Sequence, residues 1–264
     1  MSKRKTGAVR DYDSRFSHTK KMSNTNTYYL NESKTIDFTQ ATGQKVSKLS
    51  TKVIELIPKS INQEKYIIAL LDDNIDIVVV SGPAGTGKTY LAMQAAIKSL
   101  RTRQCDRIIL TRPAVAVDDE KHGFLPGDLN QKMEPWTRPL LDVLREYYST
   151  KEIAHMLEEQ IIEIAPLAFC RGRNFKHSWI VLDEAQNCSI SQACMLLTRI
   201  GEGSKIVVTG DTDQADRRQS DNGLIDLQKK LANSPVAGMQ SCTFNASDIR
   251  RHKIIGDILK MYHV

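Results

Sequence analysis

The chain has 264 residues, 41% of them hydrophobic and 26% charged, with a formal net charge of +6. That length suits one α/β domain plus an extension, and the composition excludes a chain that is disordered throughout. No run of about 18 apolar residues exists to span a membrane, and the opening MSKRKTGAVRDYDSRF lacks the apolar stretch of a signal peptide, so a cytoplasmic protein without a membrane partner is expected.

Residues 1–50 hold ten Lys and Arg against four Asp and Glu, and the remainder is balanced, so this extension carries the whole basic excess. Tyr12, Phe16, Tyr28, Tyr29 and Phe38 lie among those bases. Such a mix meets phosphates with charge and bases with rings, or it is a solvated tail whose rings pack on the body; both readings stay open. Apolar periodicity begins at Thr51, which places a boundary near Ser50 and one domain over 51–264.

Within that domain INQEKYIIALLDD spaces Tyr66, Ile67, Leu70 and Leu71 as a helix, and DIVVVSG is a short buried strand ending in glycine. TYLAMQAAIKSLRT follows as a helix and DRIILTRP as a strand. GDLNQKMEPWTRPLLDVLREYY predicts a helix from around Pro135 or slightly before, then KEIAHMLEEQ a short helix and IIEIAP a strand. HSWIVLDEAQ is a strand, SQACMLLTRI a helix, SKIVVTGDTDQ a strand, and DNGLIDLQKKLAN and HKIIGDILKMY two late helices. Strands that are near-continuous Val/Ile runs alternating with helices predict an α/β fold, a mostly parallel sheet with helices on both faces. Ligands of such sheets bind beyond the carboxyl ends of the strands. Those ends here are SGPAGTGKT, TRPAVAV, DEAQN and GDTDQ.

Gly82-Pro83-Ala84-Gly85-Thr86-Gly87-Lys88-Thr89 satisfies GxxxxGK[ST] between an apolar strand and a helix. Glycines at positive φ let backbone N–H groups wrap a phosphate, and the helix adds its positive end. Lys88 is expected to reach the β- and γ-phosphates, and the Thr89 hydroxyl to bind Mg²⁺. Asp183, after four apolar residues, is expected to hold the same ion, and Glu184 to act as base towards the attacking water. Gln214 can bond both that water and the γ-phosphate, and Gln63, about 20 residues before the P-loop, has an amide suited to the adenine edge. Five cysteines without a CxxC pair and six scattered histidines predict reduced core thiols and no zinc site.

SGPAGTGKTYLA, LTRPAV, GFLPGDLNQKMEPWTRPL, RGRNF, IVLDEAQN, LTRIGEGSKIVVTGDTDQ, GLIDL and a late DIRRH together resemble the PhoH family, over roughly residues 58–264. The resemblance implies a single RecA-like P-loop ATPase domain related to the first motor domain of superfamily 1 helicases, with ATP and Mg²⁺ as cofactors, a role in RNA metabolism, and ring-shaped, often hexameric, homo-oligomers. Relatives fused to a PIN nuclease differ, since residues 1–50 are too short for that domain and show no spaced acidic quartet; ribonuclease activity is the weakest expectation. The compact length is similar to bacteriophage-encoded members, which places the protein in a bacterial cell, or in the host cytoplasm if phage-encoded.

A single motor domain implies that a neighbouring subunit completes the site with an arginine in trans. Arg251 is the first candidate, beside Arg250, Arg217 and Arg218. Thr111 and Arg112 sit where related motors grip a nucleic-acid backbone, although Arg112 also suits a support of the catalytic loop or of the nucleotide. Arg171 and Arg173 are candidate second phosphate contacts, with Phe175 as a stacking surface. Two functions stay open: an oligomeric helicase or remodeller of single-stranded RNA or DNA, and an ATP-dependent assembly switch that recruits protein partners.

Overall fold

In the computed structural model, residues 53–113, 138–215, 219–250 and 261 are described. Helix α1 (Ile61–Leu71) is capped by the Ser60 hydroxyl, which accepts from Gln63 N, and leads into strand β1 (Ile77–Ser81), buried along its whole length. Helix α2 (Lys88–Arg101) and β2 (Arg107–Arg112) follow. Residues 138–145 are helical, and the start expected near Pro135 lies outside the described residues. Next come α3 (Thr150–Glu158) and β3 (Ile162–Pro166), then β4 (Ser178–Leu182) and α4 (Ile190–Leu197). The described order ends with β5 (Lys205–Gly210), α5 (Gly223–Asn233) and β6 (Met239–Thr243). Ser149 with Glu152, and Ser189 with Gln192, form reciprocal capping boxes that start α3 and α4.

The strands form one sheet in the order β3-β2-β4-β5-β1-β6, every neighbouring pair parallel. Alternation along the strands divides the core into two layers. Val78, Val80, Leu110 and Val181 meet α1, α2 and residues 140–148 on one face. Ile77, Val79, Ile180 and Val208 meet α4 and α5 on the other. Strand β5 lies between the P-loop strand β1 and the acidic strand β4, the arrangement of a RecA-like domain. Because all pairs are parallel, the loops after β1, β2, β4 and β5 share one end of the sheet, where such folds bind ligands.

One strand was not anticipated. MQSCT, strand β6, buries only Cys242, and an edge strand with one buried residue carries neither apolar alternation nor an apolar run. The extension 1–50, its boundary near Ser50 and most of the final expected helix lie outside the described residues.

Candidate active site

The loop after β1 is built for a ligand with many acceptors. Gly82, Gly85 and Gly87 have φ of 144°, 83° and 85°, and Gly87 caps α2 with no side-chain hydrogen bond, so backbone N–H groups of its first turn need another partner. A Cβ on Gly82 would stand 2.6 Å from Phe244 O, so the close passage of β6 past the loop also requires glycine there. Lys88 is 8% exposed, and its Nζ donates to Gly82 O at 2.6 Å and Pro83 O at 2.8 Å, arching over the loop. Tyr66, fully buried, donates to Lys88 O at 3.2 Å. Burial, followed by the nearby Cys242 and Asp183, pushes its phenol well above the ordinary range, so it remains a donor.

Strand β4 delivers the acidic pair beside this loop. Asp183 Oδ1 accepts from the Thr89 hydroxyl at 2.8 Å and from Thr209 on β5 at 2.7 Å. Glu184 takes the left-handed conformation, φ 54° and ψ 41°. Its Oε1 lies 3.1 Å from Arg112 Nη2, and its Oε2 accepts from Gln186 Nε2. Gln186, 1% exposed, accepts from Asp211 N at 3.1 Å. Asp211 in turn accepts from the P-loop Ala84 N at 3.1 Å. A continuous hydrogen-bonded path thus joins Arg112, Glu184, Gln186, Asp211 and the P-loop.

Thr89, Lys88, Asp183, Glu184, Arg112 and Gln214 line one cavity of about 320 Å³. Oxygen donors from Thr89 and Asp183, one neutral and one anionic, suit Mg²⁺. Among the described residues no group of three or more His, Cys, Asp or Glu could hold a metal ion.

Of the residues singled out from sequence, Ala84, Gly85, Gly87, Lys88, Thr89, Asp183, Glu184 and Gln214 line this cavity, whereas Gly82, Pro83 and the buried Thr86 hold the loop together, Gly82 O accepting from Lys88 Nζ and Pro83 O from the Thr86 hydroxyl. Others are placed differently. Gln63 is 4% exposed; its Nε2 donates to Thr86 O at 2.8 Å and its Oε1 accepts from Lys59 N at 2.7 Å. The amide expected to face adenine thus braces the P-loop from beneath. Thr111 is 1% exposed and its hydroxyl lies 3.8 Å from Cys170 Sγ, so a strand phosphate does not reach it. Arg112 turns to Glu184, as its alternative reading allows.

Arg173 grips Glu163 with both nitrogens, Nη2 to Oε2 at 2.7 Å, and those bonds hold it further in its charged form. Its guanidinium lies 4.6 Å from the Phe175 ring centroid, and Phe175 is 3% exposed. Burial under an ion-paired arginine removes Phe175 from a stacking role, and Glu163 occupies the guanidinium expected to meet a phosphate. Arg171 is exposed. Arg250 N donates to Gly85 O at 3.0 Å and its side chain to Lys59 O, ties within the same chain. Arg217, Arg218 and Arg251 lie outside the described residues. Thr209, Gln186, Asp211 and Asn222 were missed. Gln186 and Asp211 stand inside quoted motifs, and Thr209 was signalled by a hydroxyl ending an apolar strand.

Residues 55–263 match the family model described as PhoH-like protein. The chain belongs to the PhoH family. Similar PhoH-like proteins include one from Synechocystis, 41% identical over 83% of this chain and 66% of its own length. Another from Mycobacterium tuberculosis is 43% identical over 81% of this chain and 60% of its own. A third, from Bacillus subtilis, is 40% identical over 77% and 63%. The chain thus spans about 60–66% of the length of these PhoH relatives. Among solved structures, a Pif1 helicase from Candida albicans overlaps 78% of this chain and 43% of its own at 16% identity, with a TM-score of 0.41. So low a score leaves the family assignment to the sequence relatives. Family and geometry together give this PhoH domain a P-loop with an acidic pair beside it.

Proposed function

We propose that this chain is a Mg²⁺-dependent ATPase that acts, as a ring-shaped and hexameric homo-oligomer, on single-stranded RNA or DNA as a helicase or remodeller. The observation that carries the ATPase reading is the 2.8 Å contact between the Thr89 hydroxyl and Asp183, with Lys88 and Glu184 on the walls of the same cavity. Thr89 and Asp183 would hold Mg²⁺ there, and the ion would supply positive charge to the phosphates. Lys88 exchanges the Gly82 and Pro83 carbonyls for phosphate oxygens, Glu184 takes the proton of the attacking water, and Gln214 orients that water. A neighbouring subunit supplies the arginine in trans, with Arg251 the first candidate.

Arg112 supports the nucleic-acid reading, because it pairs with Glu184 at the end of β2. A strand phosphate that draws Arg112 away frees Glu184 Oε1 to receive the proton, so strand binding raises turnover. The second reading, an ATP-dependent assembly switch, is favoured by Ile57, Ile61 and Ile68, which are 47%, 71% and 49% exposed in and before α1.

Steady-state ATP hydrolysis with and without single-stranded RNA or DNA, over a salt series, separates the two. Stimulation that falls steeply with salt supports the strand reading; unaltered hydrolysis with nucleotide-dependent capture of partners supports the switch. Lys88→Ala is expected to abolish turnover in either case. Glu184→Gln is expected to retain ATP and lose turnover by about 100-fold or more, and normal turnover would remove Glu184 from the base role.

A further inference from the structure

Resting on the strand-binding reading above, we propose that Phe169 and Arg171 form a platform for single-stranded nucleic acid, the ring stacking on a base and the guanidinium pairing with a phosphate. Thr111 and Phe175 are buried, and Arg173 is held by Glu163. Arg171 is exposed and has no ion-pair partner among the described residues.

Two residues before it, Phe169 is 57% exposed. Among the Phe, Tyr and Trp side chains of the described residues the other exposed one is Tyr90, whose hydroxyl donates to Glu146 at 3.0 Å. Among these Phe, Tyr and Trp side chains, Phe169 therefore presents an exposed ring with no polar tether.

The ring does not hang from a loose loop. It belongs to the 3-10 turn Leu167–Cys170, whose first and last residues are 1% and 0% exposed. Cys170 Sγ is 3.8 Å from Thr111 Oγ1 on β2. Anchoring the turn at its buried ends, Leu167 and Cys170, while Phe169 faces outwards fixes the ring at low entropic cost to a ligand. Beyond Arg171, Gly172 at φ 78° has nothing within 4 Å of its would-be Cβ, so the approach is open.

Position also fits. Pro166, which precedes the turn, is the register partner of Arg112, so the platform lies at the carboxyl end of β3 beside the strand that carries Arg112 to the ATP cavity. Ring and guanidinium read a π face and a phosphate but no base edge, so recognition tolerates any sequence.

The test is fluorescence anisotropy of labelled oligo(U) and oligo(dT) with the full chain carrying Phe169→Ala, Phe169→Trp or Arg171→Ala. Both side chains are exposed, so the variants keep the wild-type unfolding midpoint. Phe169→Ala is expected to weaken binding roughly 10- to 100-fold, with Phe169→Trp restoring it. Arg171→Ala is expected to weaken binding and reduce the salt slope by about one phosphate contact. Wild-type binding that both alanine variants leave intact would overturn the platform while the strand reading stands, and would assign the ring to a protein contact. A wild-type chain that binds neither oligonucleotide overturns both.

Discussion

Glu184 adopts φ 54° and ψ 41°, a left-handed conformation that costs a non-glycine residue on the order of 1 kcal/mol. It is held there by neighbours, Arg112 on one carboxylate oxygen and Gln186 on the other. Gln186 is also the residue through which Asp211 and the P-loop meet Glu184. Losing one hydrogen bond to a charged group costs about 1.5–3 kcal/mol. Gln186→Ala is therefore expected to lower kcat about 10- to 100-fold while KM for ATP changes little. Steady-state kinetics decides it, and a raised KM with normal kcat would instead assign Gln186 to ground-state binding. DEAQN names this glutamine, yet its bond to Asp211 was not legible, because that bond exists only through the adjacency of β4 and β5.

The N-terminus of α5 is coupled to the same path. Asn222, 0% exposed, accepts from Leu224 N and Ile225 N at 3.0 and 3.1 Å, and its Nδ2 donates to Gln186 O at 2.8 Å. Asn222→Ala is expected to cost about 1–2 kcal/mol from the cap alone, visible as a fall of several degrees in Tm, roughly 2–4 °C for each kcal/mol. Asn222→Asp keeps the cap acceptor but loses the donor to Gln186 and sets a buried carboxylate against its carbonyl, so a fall in Tm as well as a lower kcat is expected. DNGLIDL announced this helix start, as GKT announced that of α2, because caps and glycine breaks act on residues three or four apart. Strand β6 went unread because its backbone pairs with β1 while most of its side chains face solvent.

Across the molecule, the two apolar layers shelter thiols. Burial pushes Cys105 and Cys242 each up to about 11 from 9.0, whereas Cys194 is exposed. A thiol reagent is expected to find one fast group in the native protein, Cys194, and four slow ones released on unfolding. Above pH 9 the unfolded chain loses thiol protons that the folded chain keeps to about pH 11. Stability contributed by these groups is therefore complete below pH 9 and lost as pH rises towards 11, by up to about 3 kcal/mol per thiol. Denaturant titrations over that window check it, and Cys105→Ala is expected to shrink the fall; an unchanged fall would remove Cys105 from the account.

The sequence by itself determined the parallel α/β architecture, the phosphate loop and the acidic pair, because each is written in the period or spacing of neighbouring residues. Tertiary structure alone decided that Gln63 braces the P-loop, that Arg112 holds Glu184, that Arg173 and Phe175 are closed off, and that Phe169 is left open. Those outcomes depend on which strands lie side by side and which charge another residue already holds. Such partners stand 72 residues apart in the chain for Arg112 and Glu184, beyond the reach of any local pattern.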